Sequence, residues 1–323
     1  MALPVWFRLS LSVVVGAFFA LLLARRSLPE GYEAADLTPI LRSAREVLAG
    51  RSPFVPNVAA DGSGPRMIYP MPAYLVAIPF AFLKDSIARA LWSGLAAGLL
   101  TWFAVGRHGV HGIAVLASRC AERALGLAQW SPLFFASALA PGWQVLAAAK
   151  PTLGLIVWCY RPSRWAFVGG VVLCAVSFLL LPTWVQQWLS QTRGVTFYMP
   201  AALVWQGGGP LLLLAGLRWR RPEARLLLAL ACIPHNMIWY DQLLLFLIPA
   251  SSIELWLLSA LSWVSVLVAN ALMVRWGLPR SAELEALRAP IVALLYLPSL
   301  VMVLRRPNTP ATVSQQAKQA LTG

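Results

Sequence analysis

The sequence predicts an all-α, polytopic transmembrane helical bundle of about nine to twelve spans, at the length of about 20 residues that one helical crossing needs. Three observations predict it. Of 323 residues, 59% are hydrophobic and 12% charged, against the roughly 25% charged residues of an average soluble domain. Apolar runs long enough to cross a hydrocarbon core recur from one end of the chain to the other. The strict alternation of an outer-membrane barrel is absent, and backbone polar groups that must pair within a segment leave the helix as the spanning form.

The net charge of +14 would suggest nucleic acid in a soluble chain, but the basic residues here sit mostly at the ends of apolar runs. That placement reads as topology and contact with membrane lipids, with no nucleic-acid partner. Cys120, Cys159, Cys174 and Cys232 have no CxxC spacing, so neither a disulfide framework nor a zinc site is expected. His108 and His111 lie three apart without a third ligand nearby, and no metal is expected there.

Residues 1–307 read as a single transmembrane domain and 308–323 as a disordered cytoplasmic tail. The apolar run 5–24 is too long for a signal-peptide core and ends in Arg25 and Arg26 without a small-x-small site, so it is expected to stay as the first span. Residues 25–67 follow as a polar external loop. Within it Leu37, Ile40, Leu41, Ala44, Val47 and Leu48 recur with helical periodicity, opposite Arg42, Arg45 and Glu46. This predicts a short amphipathic helix in the membrane interface, with Thr38 and Pro39 at its start and Gly50 at its stop. Asp36 precedes it, beside the positive end of the helix dipole, where a carboxylate stays ionised. A capping role for Asp36 fits the same pattern.

A second span over about 68–83 carries Pro70, Pro72 and Pro79, which bend or unwind a helix. A third covers 87–105. From 112 to 160 apolar stretches are interrupted by Arg119, Glu122, Gln129, Pro132, Pro141 and Lys150, as in broken or partly re-entrant helices. Lys150 has apolar sequence on both sides. A cation at membrane depth is a candidate partner for phosphate or carboxylate, and snorkelling to the headgroups is the alternative. Further spans are expected over 165–181, 201–217, 253–274 and 290–304, with an aromatic loop at 183–200 and a polar cluster, Pro234 to Asp241, late in the chain. Counting alternations puts Lys84, Arg161, Arg164, the Arg218 cluster, Arg305 and Arg306 on the cytoplasmic side with the amino terminus. The 25–67 loop, the 183–200 loop and the His235 cluster then fall outside.

Among the twelve acids, those expected on the outer face are Glu30, Glu33, Asp36, Glu46, Asp61 and Asp241. Glu46 belongs to the helix surface and Asp61 to a glycine-rich link, which leaves Asp36 best placed as a general base. The order of a first span, Asp36, an amphipathic helix ending in Leu48, Ala49 and Gly50, then Pro53, Phe54, Tyr69, Pro70 and Pro72, resembles the first external loop of family 87 glycosyltransferases. Gln129, Trp130, Ser131 and Pro132 resemble that family's Gly-Gln segment, with Ala128 in place of Gly. Lys150, Pro151 and Thr152 resemble its Lys-Pro segment, and Pro234 to Tyr240 its late aromatic-His segment, with the order of Trp and His not kept.

The resemblance implies a C-type glycosyltransferase fold in a bacterial-type inner (plasma) membrane. It implies transfer of a sugar, mannose-like and with inversion, from a polyprenyl-phosphate carrier to a glycan or glycolipid acceptor at the outer face, with no further cofactor. Asp36 is then the catalytic base. Lys150 and Arg66 hold the phosphate, and Tyr69, Gln129, His235, Trp239, Tyr240 and Asp241 contact substrate. The rival reading is a transporter or flippase for a lipid-linked or anionic substrate, to which broken helices and an intramembrane lysine are equally suited.

Overall fold

The computed structural model describes residues 3–25, 37–54, 69–192, 201–205, 207–235, 238–277 and 288–308. Its described residues are all helical or irregular, without strands. Among the described residues three helices are long and apolar enough to cross a membrane: α1 (Val5–Arg25), the helix that begins as α4 (Asp85–His108) and continues to Leu116, and α12 (Ser252–Trp276). A fourth crossing is added if α9 (Arg164–Leu180) and α10 (Trp184–Thr192), bent by 100° at their junction, count as one. The remaining apolar helices are 10–17 residues long. Among the described residues, the nine to twelve crossings expected from hydropathy thus correspond to three or four helices of full length and a set of half-length pieces.

Small residues set the first pairing. Ser12, Gly16 and Ala20 on α1 face Gly94 and Gly98 on α4, and a methyl group added to Gly16 would lie 2.8 Å from the Gly94 carbonyl oxygen. Such stripes let two backbones approach where lipid offers no hydrophobic drive to associate. The pairing is antiparallel, because the Arg8 guanidinium donates to the Trp102 carbonyl (3.1 Å) and lies over the Trp102 ring, near the far end of α4. Lys84, which precedes α4, therefore lies at the opposite end of the bundle from Arg8. This corrects the alternation count, which placed Lys84 with the amino terminus.

The reason is α3 (Met71–Ala81). With Pro70, Pro72 and Pro79 it forms only 11 helical residues, about 16 Å at 1.5 Å per residue, half of a hydrocarbon core. It is held beside α2 (Leu37–Leu48), whose Leu37, Ile40, Leu41 and Ala44 are fully buried against α3 and α4. The predicted helix is present, but its apolar face packs into protein rather than lying in the membrane interface. Even Ser43 is buried. Arg45, expected on the solvated side, donates to the Ala81 (2.9 Å) and Leu83 (2.8 Å) carbonyls and pairs with Asp85 (2.6 Å). It thereby satisfies carbonyls left free at the end of α3. Gly50, at φ +67, lets the chain turn after α2. α10 docks at this same end: the Ser52 hydroxyl meets Gln187 Oε1 (2.5 Å), and Gln191 donates to the Phe54 carbonyl (3.2 Å).

Arg107, at the far end of α4, donates to the Tyr160 hydroxyl and the Leu247 carbonyl, both at 2.9 Å. Those contacts define the Arg107 end. From it two short hairpins enter the bundle and return. The first is the 3₁₀ segment Pro141–Ala149, a turn at Lys150, and α8 (Pro151–Tyr160). Its two feet meet where Gln144 donates to the Arg161 carbonyl (2.9 Å). The second is α11 (Pro222–Cys232), a polar tip, and the 3₁₀ segment Asp241–Leu247. Arg225 binds the Cys159 and Tyr160 carbonyls at its foot (2.9 and 3.2 Å). A 3₁₀ helix is thin and rises about 2.0 Å per residue, so nine residues reach about as deep as a longer α-helix would. Gly169 of α9 accepts the Val145 backbone of the first hairpin so closely that a side chain there would collide.

The last helix, α13 (Arg288–Leu304), carries a π-turn at Val292–Tyr296 and returns to the Arg107 end. There Arg218 binds the Leu304 and Arg306 carbonyls, and Arg306 pairs with Glu254 (2.7 Å). The tail expected at 308–323 lies, apart from Asn308, outside the described residues.

Candidate functional site: a charged pair where two hairpins meet

The tips of the two hairpins meet through Lys150 and Asp241. Lys150 Nζ donates to both carboxylate oxygens of Asp241, at 2.7 and 3.0 Å, and lies 5.4 Å from the centre of the Tyr240 ring. The Asp241 side chain is 0% exposed and that of Lys150 13%. Two opposite charges taken out of water together partner each other, whereas either alone would be expensive to bury. Lys150 does not snorkel to a surface. It stands at a turn between Ala149 and Pro151, which opens α8, with Pro151 supplying the φ of a first helical residue.

One residue beyond Asp241 a hydrogen-bonded network begins. The His235 Nδ1 lies 2.8 Å from the Ile233 carbonyl, which can only accept, so Nδ1 carries a proton. The Tyr296 hydroxyl donates to Gln242 Oε1 (2.5 Å) and lies 3.1 Å from His235 Nε2. Gln242 Nε2 donates to the Ile238 carbonyl (3.2 Å). All three side chains are buried. His235 and the stretch from Trp239 to Asp241 thus lie buried at the tip of a hairpin entered from the Arg107 end, with Pro234 exposed beside them, rather than in an external loop, because α11 is too short to reach the far side. Tyr296 and Gln242 were absent from the sequence reading. Gln242 could have been found as the polar neighbour of Asp241. Tyr296 sits in a wholly apolar run and carries no local signal.

The other expected substrate contacts separate. Trp239 turns away from the charged pair: its indole N–H donates to Ser265 of α12 (2.7 Å), and the Arg119 guanidinium lies 5.2 Å from its ring centre. Tyr69 packs on Trp130 (ring centres 6.5 Å apart), which meets Trp92 edge-on at 4.9 Å. The Gln129 carbonyl accepts from the Trp92 indole (3.4 Å), and Gln129 is fully buried. Ala128, just before it, has φ +53, alone among the described non-glycine residues in a positive φ. That left-handed backbone is the region where glycine is favoured over a residue with a Cβ.

Asp36 and Arg66 lie outside the described residues. Leu37, the residue after Asp36, is fully buried at the start of α2. Among the described residues no group of three or more His, Cys, Asp or Glu side chains could hold a metal. His111 accepts instead from the Trp256 indole (3.5 Å).

The fold and site define a class: an all-helical protein with helices long enough to cross a membrane and a charged pair inside it. Beyond that class, no protein-family model matches the chain, and neither a curated protein nor a solved structure does.

Proposed function

We propose that this protein is a multi-pass membrane glycosyltransferase of the inner (plasma) membrane, using a polyprenyl-phosphate-linked, mannose-like sugar as donor and a glycan or glycolipid hydroxyl as acceptor. The observation that carries the reading is Lys150: a lysine held at depth by two re-entrant hairpins, with part of its ammonium side chain still accessible. An ammonium has three N–H donors. Two are spent on Asp241, and the third is left for a phosphate oxygen. The sugar-transfer step rests on the resemblance of the first loop, and the burial of Leu37 supports it by fixing the helix that follows Asp36.

In this reading the Asp36 carboxylate takes the proton of the acceptor hydroxyl as its oxygen attacks the anomeric carbon. The bond from that carbon to the phosphate oxygen breaks, and the polyprenyl phosphate leaves with the electron pair. Lys150 and Arg66 stabilise the charge that builds on the leaving phosphate. One displacement inverts the anomeric centre. Tyr240 lines the approach to Lys150, and His235 is held by Tyr296 and Gln242 as the wall behind it. The basic end, with Arg107, Arg161, Arg164, Arg218, Arg220, Arg221, Arg225, Arg305 and Arg306, faces the cytoplasm. The end with α2, α10 and Lys84 faces outward.

The test is transfer of labelled sugar from a polyprenyl-phosphate donor by the purified protein in liposomes. Asp36→Asn is expected to lower turnover at least about a hundredfold, in the range of a lost general base, and the product to have the inverted anomer. Full activity in Asp36→Asn, with loss in Asp241→Asn, would move the base to the buried pair. One observation favours the transporter reading: half-length helices whose tips meet at an ion pair also build substrate sites in carriers. Movement of an intact donor across the liposome, without release of polyprenyl phosphate, would establish that alternative.

A further inference from the structure

Two helices begin side by side near Lys150. α7 (Ser131–Leu139) and α8 are packed together and run the same way, since the Leu139 carbonyl at the end of α7 accepts from Arg161 (3.4 Å), the residue after α8. Counting back at 1.5 Å per residue puts Ser131 about 12 Å, and Lys150 about 15 Å, from that common level. Both helices open with proline, Pro132 and Pro151, so both present the positive ends of their dipoles at one depth. Helix N-termini alone are common.

What sets this pair apart is a set of buried donors with nothing to bind. Trp130 is 1% exposed and Ser131 0%, and among the described residues neither the indole N–H nor the serine hydroxyl has a hydrogen-bond partner. A buried polar group without a partner is costly and rare in folded proteins. Here two occur in adjacent residues, Trp130 at the cap and Ser131 at the first position of α7, two residues on from the left-handed Ala128. An indole N–H can only donate, so the group that satisfies it must be an acceptor. Beside two helix N-termini and a lysine, the acceptor that fits is an anionic oxygen.

We propose that the first turns of α7 and α8 form a phosphate-binding cleft, in which the Trp130 indole and the Ser131 hydroxyl hold phosphate oxygens beside Lys150. The proposal rests on the reading of a phosphate-linked lipid donor and gives that donor's phosphate a defined seat. Trp130 is held for this task by Trp92 and Tyr69 on its ring. The lost hydrogen bond of either residue weakens phosphate binding without altering charge.

The test measures binding of polyprenyl monophosphate, the uncharged polyprenol and inorganic phosphate to the purified full-length protein, together with its melting temperature. The wild type is expected to bind the lipid phosphate and not the alcohol. Competition by inorganic phosphate at millimolar concentration would mark a site for free phosphate, whereas its failure to compete marks the lipid carrier; both outcomes support the cleft. Trp130→Phe and Ser131→Ala are each expected to weaken lipid-phosphate binding about tenfold or more, the size of a hydrogen bond to a charged group. The ligand-free melting temperature of Ser131→Ala should hold or rise, because that change removes an unpaired buried group, whereas Trp130→Phe also leaves a void against Trp92 and Tyr69 and is judged by binding alone. Unchanged binding in both variants overturns the cleft but leaves the transferase reading standing. Weaker binding by Ser131→Ala together with a lower melting temperature of that variant assigns these groups to internal packing and also overturns it. A wild type that binds no phosphate in any form removes the donor reading itself, and the cleft with it.

Discussion

At the scale of single residues, the charged pair and the strained alanine make distinct demands. Removing one member of the Lys150–Asp241 pair leaves the other charge buried and uncompensated, which typically costs about 3–5 kcal/mol. Lys150→Met and Asp241→Asn should therefore each lower thermal stability strongly in detergent. The double variant Lys150→Met with Asp241→Leu should recover most of it, since an apolar pair of similar size is often neutral. If the double variant is as unstable as the singles, the pair is not the coupled unit the distances indicate. Ala128 carries the opposite expectation. An alanine at φ +53 pays the left-handed penalty, about 1 kcal/mol or somewhat more, which outweighs the one buried methyl that glycine lacks, so Ala128→Gly should raise the melting temperature without changing charge. A fall would show that the segment relaxes in solution.

Among the elements, length and small residues decide what each helix can do. Gly94 lies in direct contact with Gly16 and Ala20, and a methyl placed on it would come within 2.8 Å of the Gly16 carbonyl. Gly94→Leu is expected to part α1 from α4 and to destabilise by about 1–3 kcal/mol, as overpacking does. Gly170, one residue from the closely packed Gly169 and with open space around it, is the control: Gly170→Ala should be tolerated. The measurement is thermal unfolding of both variants in one detergent. α2 illustrates how an amphipathic pattern underdetermines its partner. Its periodicity identifies the buried face correctly, and only the packing shows that protein covers that face. Arg45 makes the same point, since three acceptors from a segment about forty residues on converge on it.

For the whole molecule, the antiparallel pairing of α1 and α4 sets the sidedness. With α3 too short to cross, the turn that holds Lys84 returns to the end it came from, together with Arg45 and α10. A cysteine introduced by Lys84→Cys, in a background with the four native cysteines changed to serine, should react with an impermeant maleimide added outside intact cells. The same substitution at Arg305 should react only after permeabilisation. Reversal of both would invert the molecule, and protection of both positions from outside would restore the simple alternation.

The sequence by itself determined the helical class, the amphipathic helix after residue 36, its stop at Gly50, the broken character of 112–160 and the singular lysine. These are properties of composition and local periodicity, which one segment carries alone. It also placed Lys150, His235, Tyr240 and Asp241 among the candidates, because a charge or an imidazole stands out against apolar neighbours. Only the tertiary structure decided that Lys150 and Asp241 are partners, that Tyr296 and Gln242 hold His235, and that Trp239 is bound to Ser265 of α12. Those contacts join residues dozens of positions apart, and nothing in either local stretch encodes the distance between them. The sidedness of Lys84 was likewise beyond a count of apolar runs, because a run of the right hydropathy turns back when prolines leave it only half the length of a crossing.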